Sequence, residues 1–345
     1  MKVSTKIILI VSALVVLLGG VAYLYFGRQP LTSGHELRKI VFQLNWFPEG
    51  ESAYVYLAQR NGIFAKHGFD TTIQGGRGSE FSARFLAAGK VDVALIGGDA
   101  LVGAASRGAK IRSIGIVYFG SPVVIYSLKS QGILKLQDLY GKRLGTLPGS
   151  NTFLQYEGVA HLVGLDRSRI TEIALDASLA ENLLLENKID ALMQYTEKAA
   201  LDTRVRGYEI NEIPLKEYGA HIVGMSIAVR TGTFSPAEID QLRAAIQEGF
   251  WRSLEHPDEA FDALRSANPR EAFAQNDGTP ATTESIKYMK EEMSEFFSMA
   301  CGDEIHSGCK NFLGYNYHGW EDTIDTMRKF GMLSSNLTAD DITIR

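Results

Sequence analysis

The chain has 345 residues, 45% of them hydrophobic and 22% charged, with a formal net charge of -5. This is the composition of an ordinary globular protein and argues against a disordered chain or a polytopic membrane protein. It also argues against nucleic acid as a partner, because neutralising phosphates takes clustered Lys and Arg, and no such run occurs.

Lys2 and Lys6 precede an apolar run over residues 7–26, and Arg28 follows it. A run of about 20 apolar residues spans a bilayer, and its positive flank stays in the cytoplasm. Residues 1–28 are therefore expected to be a signal peptide or signal anchor, with the remainder of the chain extracytoplasmic. Gly20-Val21-Ala22 offers a small-residue cleavage site, whereas the continuation through Tyr23 to Phe26 favours an uncleaved, membrane-anchoring helix. Residues 29–37 are polar and irregular and read as a linker.

From residue 38 the pattern alternates strand, loop and helix. A strand is predicted over 39–44, a loop over 45–51, and a helix over 52–61 that Ser52 caps and Gly62 closes. A strand over 70–74 leads through Gly75-Gly76-Arg77-Gly78 to a helix over 79–88 capped by Ser79, then a buried strand over 91–96 ending on Gly97-Gly98-Asp99. The extended stretch 111–128, with Pro122 inside it, is too long for one central strand and is expected to cross between two lobes. A second series follows: a strand over 143–146, the loop 147–151, a helix over 152–163, a strand over 170–175, a helix over 178–187 and a strand over 191–195. Residues 222–230 are again extended and should return the chain to the first lobe. Helices are predicted over 237–254 after Ser235, from Thr282 or Thr283 to 299, and over 320–330. Such alternation implies mainly parallel sheets with ligands at the carboxyl ends of the strands. Two crossings permit hinge closure. The only cysteines, Cys301 and Cys309, sit in CGDEIHSGC and would form a disulfide outside the cytoplasm. The alternative, a metal site with His306, lacks a fourth ligand.

Leu44-Asn45-Trp46-Phe47-Pro48, followed by Tyr56, Ala58, Gly62, Phe64, Gly68 and Asp70, resembles the thiamine-pyrimidine-precursor-binding branch of the periplasmic substrate-binding proteins of ABC importers. Ala88-Gly89-Lys90-Val91-Asp92, Leu139-Tyr140-Gly141-Lys142 and Asn187-Lys188-Ile189-Asp190-Ala191 are similar to further segments of that family, in order, from about residue 40 to 230. The resemblance implies an α/β, two-lobed periplasmic-binding-protein fold of type II, with lobe 1 over 38–125 and 223–345 and lobe 2 over 126–222. It implies a binding protein without cofactor or catalytic residues, whose partners are a small heteroaromatic ligand and ABC permease subunits. An extracytoplasmic sensor is one alternative. An enzyme is another, since the family includes the fungal synthase of the thiamine pyrimidine, but this chain lacks the cysteine-rich run of that synthase.

Trp46, just past the first strand, is expected to stack on a planar ring, and Asn45 either fixes ring polar atoms or caps the turn. Gly78-Ser79-Glu80 and Gly149-Ser150-Asn151-Thr152 open predicted helices, whose free N–H groups could hold a carbonyl or anionic group or be capped within the chain. Asp99, Gln194 and Glu197 follow strands near the expected cleft, and acidic groups there suit ring amines. Arg77 reads as a solvated loop charge, Tyr56 as core, Tyr54 as a weaker ligand candidate. The pyrimidine-binding relatives often carry a His where this chain has Ser52, which leaves the expected ligand at the level of a heteroaromatic molecule.

Overall fold

The computed structural model describes residues 36–148, 150–176, 179–196, 203–204, 206–268, 283–302, 305, 309 and 311–344. The expected signal or anchor helix over residues 1–28 and nearly all of the linker lie outside these. Among the described residues no helix is long and apolar enough to cross a membrane.

β1 (Arg38–Gln43), α1 (Ala53–Arg60), α2 (Ile63–Lys66), β2 (Phe69–Gln74), α3 (Ser79–Ala87), β3 (Val93–Gly97), α4 (Gly98–Ser106) and β4 (Ile111–Tyr118) follow in chain order. β3 is buried at every residue, as a parallel strand covered on both faces must be. Two expected caps differ. Ser52 precedes α1 without capping it, and its hydroxyl donates instead to the Glu49 carbonyl (2.8 Å). The N-cap of α3 is Gly78, while the Ser79 hydroxyl accepts from the Gly97 N–H (3.0 Å) and ties the helix to the end of β3.

The long extended stretch divides into β4 and β5 (Val123–Leu128), which belong to different sheets. Then come β6 (Arg143–Thr146), α5 (Asn151–Val163), β7 (Thr171–Ala174), α6 (Ala180–Leu185), β8 (Ala191–Tyr195), β9 (Ile210–Pro214) and β10 (Met225–Arg230). The first sheet has the order β2-β1-β3-β10-β4 and the second β7-β6-β8-β5-β9. In each, three parallel strands meet one antiparallel strand, β10 against β3 and β5 against β8. β9 was not foreseen: Ile210-Asn211-Glu212-Ile213-Pro214 is half polar and ends on Pro, which suits the edge position it holds. The chain passes between sheets over 119–122 and returns over 215–224. The two passages lie side by side, since a Cβ on Gly224 would strike the Tyr118 ring and the Gly120 carbonyl.

α7 (Pro236–Glu255), α8 (Pro257–Ala267), α9 (Thr283–Cys301), α10 (Tyr317–Lys329) and α11 (Ala339–Ile342) complete the chain. α8 had no apolar run long enough to announce it, yet Pro257 at its first turn is a preorganised start. Under the first sheet Phe250 stacks on Phe312 with centroids 3.6 Å apart and meets Tyr54, Phe296 and Phe297 edge-on. Cys301 and Cys309 are joined as a disulfide beside this cluster. α10 runs along the return passage, where Thr323 accepts from the Val223 N–H (2.9 Å), and Phe330 just past its end packs in the core of the second sheet.

Replacing Phe250 by Ala removes a fully buried ring from this cluster and should cost about 3–5 kcal/mol of unfolding free energy in chemical denaturation; a loss under 1 kcal/mol would contradict the packing. At the start of α7, Glu238 accepts from the Ser235 N–H (2.8 Å) and from Arg38 (2.6 Å), which hold its carboxyl at about 2 against an ordinary 4.5. A depressed folded pKa stabilises above 4.5 and is lost as pH falls toward 2. NMR titration of Glu238 should therefore show a midpoint that rises toward 4.5 in Arg38→Ala.

Candidate functional site

Segments at and just past the carboxyl ends of β1, β2, β6 and β8 line a cleft of about 170 Å³. That is below the roughly 300–1,000 Å³ of pockets for drug-sized ligands, and fits a single ring system.

From the first sheet the cleft is lined by Asn45 and Trp46, then Glu51, then Arg77 to Glu80. The backbone there is clamped by three bonds. Gly76 N–H donates to the Trp46 carbonyl (2.6 Å), Gly78 N–H to the Asn45 carbonyl (2.7 Å), and the Ser82 hydroxyl to the Leu44 carbonyl (2.8 Å). Gln43 adds amide bonds to the Leu44 and Gly75 carbonyls (3.0 and 2.7 Å). Trp46 therefore stands on a braced loop, partly exposed, with Phe47 edge-on at 5.4 Å. Gly78 keeps φ at 105°, a conformation that side-chain-bearing residues rarely adopt, and so lets the loop turn beside the indole. Glu80 pairs with Arg107 (3.2 Å).

From the second sheet come Leu147, Ser150 to Thr152, Gln194 and Tyr195. Ser150 caps α5, accepting from the Phe153 N–H (3.2 Å), and shares a hydrogen bond with the Thr152 hydroxyl (2.8 Å). Capping and cleft lining, read from the sequence as alternatives, coincide here.

Asp99 does not line the cleft. It lies beneath it, 6% exposed, and crosses to the other half of the molecule. Its carboxylate accepts from the Ala100 N–H (2.7 Å), the Asn151 amide (2.9 Å) and the Gln155 amide (2.6 Å). Burial pushes the Asp99 carboxyl up, the Gln155 and Ala100 donors work against that rise, and the Glu80 charge adds to it. Gly97 makes the approach possible: a Cβ there would sit 3.0 Å from Asp99 and 3.4 Å from Asn151.

The cleft thus assembles eight of the residues singled out from the sequence: Asn45, Trp46, Gly78, Ser79, Glu80, Ser150, Asn151 and Gln194. Glu197 lies outside the described residues. Arg77, read as a loop charge, stands at the rim, exposed and lining the cleft. Tyr54 belongs to the aromatic core. Thr152, at the helix start read from the sequence as a possible ligand holder, and Tyr195, next to Gln194, also line the cleft. Sequence reasoning passed over Glu51 and Leu147, which lie in the 45–51 and 147–151 loops, so membership of a loop at the end of a strand was the available signal. Glu51 is 2% exposed, and its charge adds to the effect of burial in raising the Tyr54 hydroxyl. Among the described residues no group of three or more His, Cys, Asp or Glu side chains could hold a metal ion.

A family model described as NMT1/THI5 like matches residues 49–260. A Haemophilus influenzae protein named for thiamine biosynthesis is 23% identical over 245 residues, covering 68% of this chain and 74% of the relative. A 4-amino-5-hydroxymethyl-2-methylpyrimidine phosphate synthase of Saccharomyces cerevisiae is 28% identical over 154 residues, 44% of this chain and 45% of the synthase, so the match spans less than half of that relative. Among solved structures, the periplasmic aliphatic sulphonate binding protein SsuA of Escherichia coli superposes with a TM-score of 0.62 at 12% identity, covering 90% of this chain and 92% of that one. The two five-stranded sheets, their shared strand order and this superposition give the molecule the α/β periplasmic-binding-protein fold. The family match extends over more than half the chain, through strands of both sheets though starting after β1, Asn45 and Trp46, and the chain belongs to the NMT1/THI5-like family.

Proposed function

We propose that this chain is an extracytoplasmic solute-binding protein of an ABC importer, holding a small heteroaromatic molecule of the thiamine-pyrimidine-precursor type against Trp46. The observation that carries the reading is the braced indole at the mouth of a ring-sized cleft lined from both sheets. Stacking would supply apolar contact area, and Asn45, the Ser150–Thr152 turn and Gln194 would supply directed hydrogen bonds. The Glu51 and Glu80 carboxylates that line the cleft would favour ring amines or a protonated ring nitrogen. Ligand capture would close two lobes, one on each sheet, about the side-by-side passages 119–122 and 215–224. Residues 1–28 would export the chain and hold it at the outer face of the membrane, where permease subunits take up the ligand.

A second reading, an enzyme, is favoured by the similarity to the named pyrimidine phosphate synthase. What supports binding instead is that the polar groups of the cleft are amides, hydroxyls, carboxylates and the Arg77 guanidinium, and that the buried carboxylate beneath it is bound by three donors.

The test is a thermal-shift screen of the full-length chain in detergent against 4-amino-5-hydroxymethyl-2-methylpyrimidine, riboflavin, nucleobases and alkanesulfonates, with recovery of the ligand by mass spectrometry. A heteroaromatic ligand should stabilise the protein and be recovered unchanged; a chemically altered product would move the assignment to the enzyme. Base–aromatic stacking is worth about 1–3 kcal/mol, so Trp46→Ala should weaken binding roughly 5- to 150-fold. Full retention of affinity would sink the stacking role. Export is checked separately: in intact cells a Glu36→Cys variant should react with a membrane-impermeant maleimide, and protection of that thiol would place the domain on the wrong side.

A further inference from the structure

Among the described residues, a buried polar contact joins the two halves of the molecule outside the cleft lining. Asp99, in the first turn of α4 on the first sheet, is bound by Asn151 and Gln155 of α5, on the second sheet, at 2.9 and 2.6 Å. The chain of bonds continues. Gln155 Oε1 accepts from the Ser121 hydroxyl (2.5 Å), and Ser121 Oγ accepts from the Val123 N–H (3.1 Å). Ser121 lies in the first passage between the sheets, so one relay joins α4, α5 and the start of β5. All four side chains are buried, at 6%, 9%, 2% and 5% exposed for Asp99, Asn151, Gln155 and Ser121. Donors and acceptors match throughout: the carboxylate accepts only, both amides donate to it, and the second passes the polarity on to the hydroxyl. Asp99 also adjoins the return passage, where the Gly98 N–H donates to the Val223 carbonyl (3.1 Å).

We propose that Asp99 is the latch of the two halves: its carboxylate draws the first turn of α5 across the hinge, and so sets Ser150, Asn151 and Thr152 opposite Trp46. Asp99 is a positioning residue and touches no ligand. Charge-assisted bonds to buried amides are stronger than neutral ones, and separating the halves would leave a buried carboxylate to find new partners. The closed arrangement is therefore favoured by the protein itself, and a ligand adds to a bias already present.

The latch is read without any ligand. Spin labels on Lys90→Cys and Lys188→Cys, exposed residues on the first and second halves, report the separation by pulsed electron–electron resonance in the full-length chain. The parent should give one short distance. Asp99→Ala should lengthen and broaden it, as should the Asn151→Ala, Gln155→Ala pair made from the opposite side, which guards against a folding defect at residue 99. The exchanged pair Asp99→Asn with Asn151→Asp restores a carboxylate facing an amide and should bring the distance back toward the parent. An unchanged distribution in Asp99→Ala and in the Asn151, Gln155 pair overturns the latch, and so does an exchanged pair that stays as open as Asp99→Ala. A second arm uses 4-amino-5-hydroxymethyl-2-methylpyrimidine as probe. Where the closed population falls tenfold, apparent affinity should fall by about tenfold, mainly through faster dissociation. Failure of the probe to bind even the parent counts against the ligand assignment above and leaves the distance arm to decide the latch.

Discussion

The architecture depends on an exchange of strands. β10, which enters the first sheet between β3 and β4, is made only after the whole second sheet, and β5, which enters the second sheet between β8 and β9, is made before its parallel strands. Both exchanged strands run antiparallel to a neighbouring parallel strand. Each sheet is thus completed by a strand that adjoins a passage to the other half, and the two passages must lie together. Parallel strands end in loops and helix N-termini at one edge, and the passages turn those edges toward each other. Cleft, paired passages and the polar contacts beneath the cleft all follow from that single arrangement.

Within the cleft, both halves present groups held in place by internal hydrogen bonds. The Trp46 loop is held by backbone and side-chain bonds from the 75–82 segment and Gln43. The opposing turn, Ser150 to Thr152, is held from below by Asp99 and capped by its own serine. A flat ring entering between them would meet a braced aromatic face on one side and oriented amide and hydroxyl groups on the other. Orientation of this kind lowers the ordering cost of binding, so a small cleft can still bind selectively. The carboxylates around it do not behave alike. Glu80 is paired with Arg107 at the rim, Glu51 is buried against the core, and Asp99 is satisfied by three donors in a site that raises its pKa.

Much of the fold was legible because its signals are local. Alternating apolar runs gave β1, β2, β3, β6 and β8, and the capping sequence Ser235-Pro236-Ala237-Glu238 gave the start of α7. Where local signals mislead, a distant partner has taken the group. Ser79 is placed as a cap by sequence but is used by Gly97, and Ser52 turns back to Glu49. β9 was illegible because an edge strand need not alternate cleanly, and α8 because its buried face is short. Asp99 shows the same limit at the site. Its position after a strand marked it for the cleft, and only its contacts with Asn151 and Gln155 reveal that it spans the halves below.

Periodicity, caps, glycines and the order of family-like segments determined by themselves that this is an α/β chain crossing twice between halves, with an aromatic at the end of its first strand. These are properties of neighbours in sequence, where apolar spacing and backbone preference act over a few residues. The tertiary structure alone decided which strand entered which sheet, which polar groups face the cleft, and which carboxylate was spent on holding the halves together. Those outcomes turn on hydrogen-bond partners some 50 residues apart, as Asp99 and Asn151 are, and no local pattern encodes the burial that makes such a pairing obligatory.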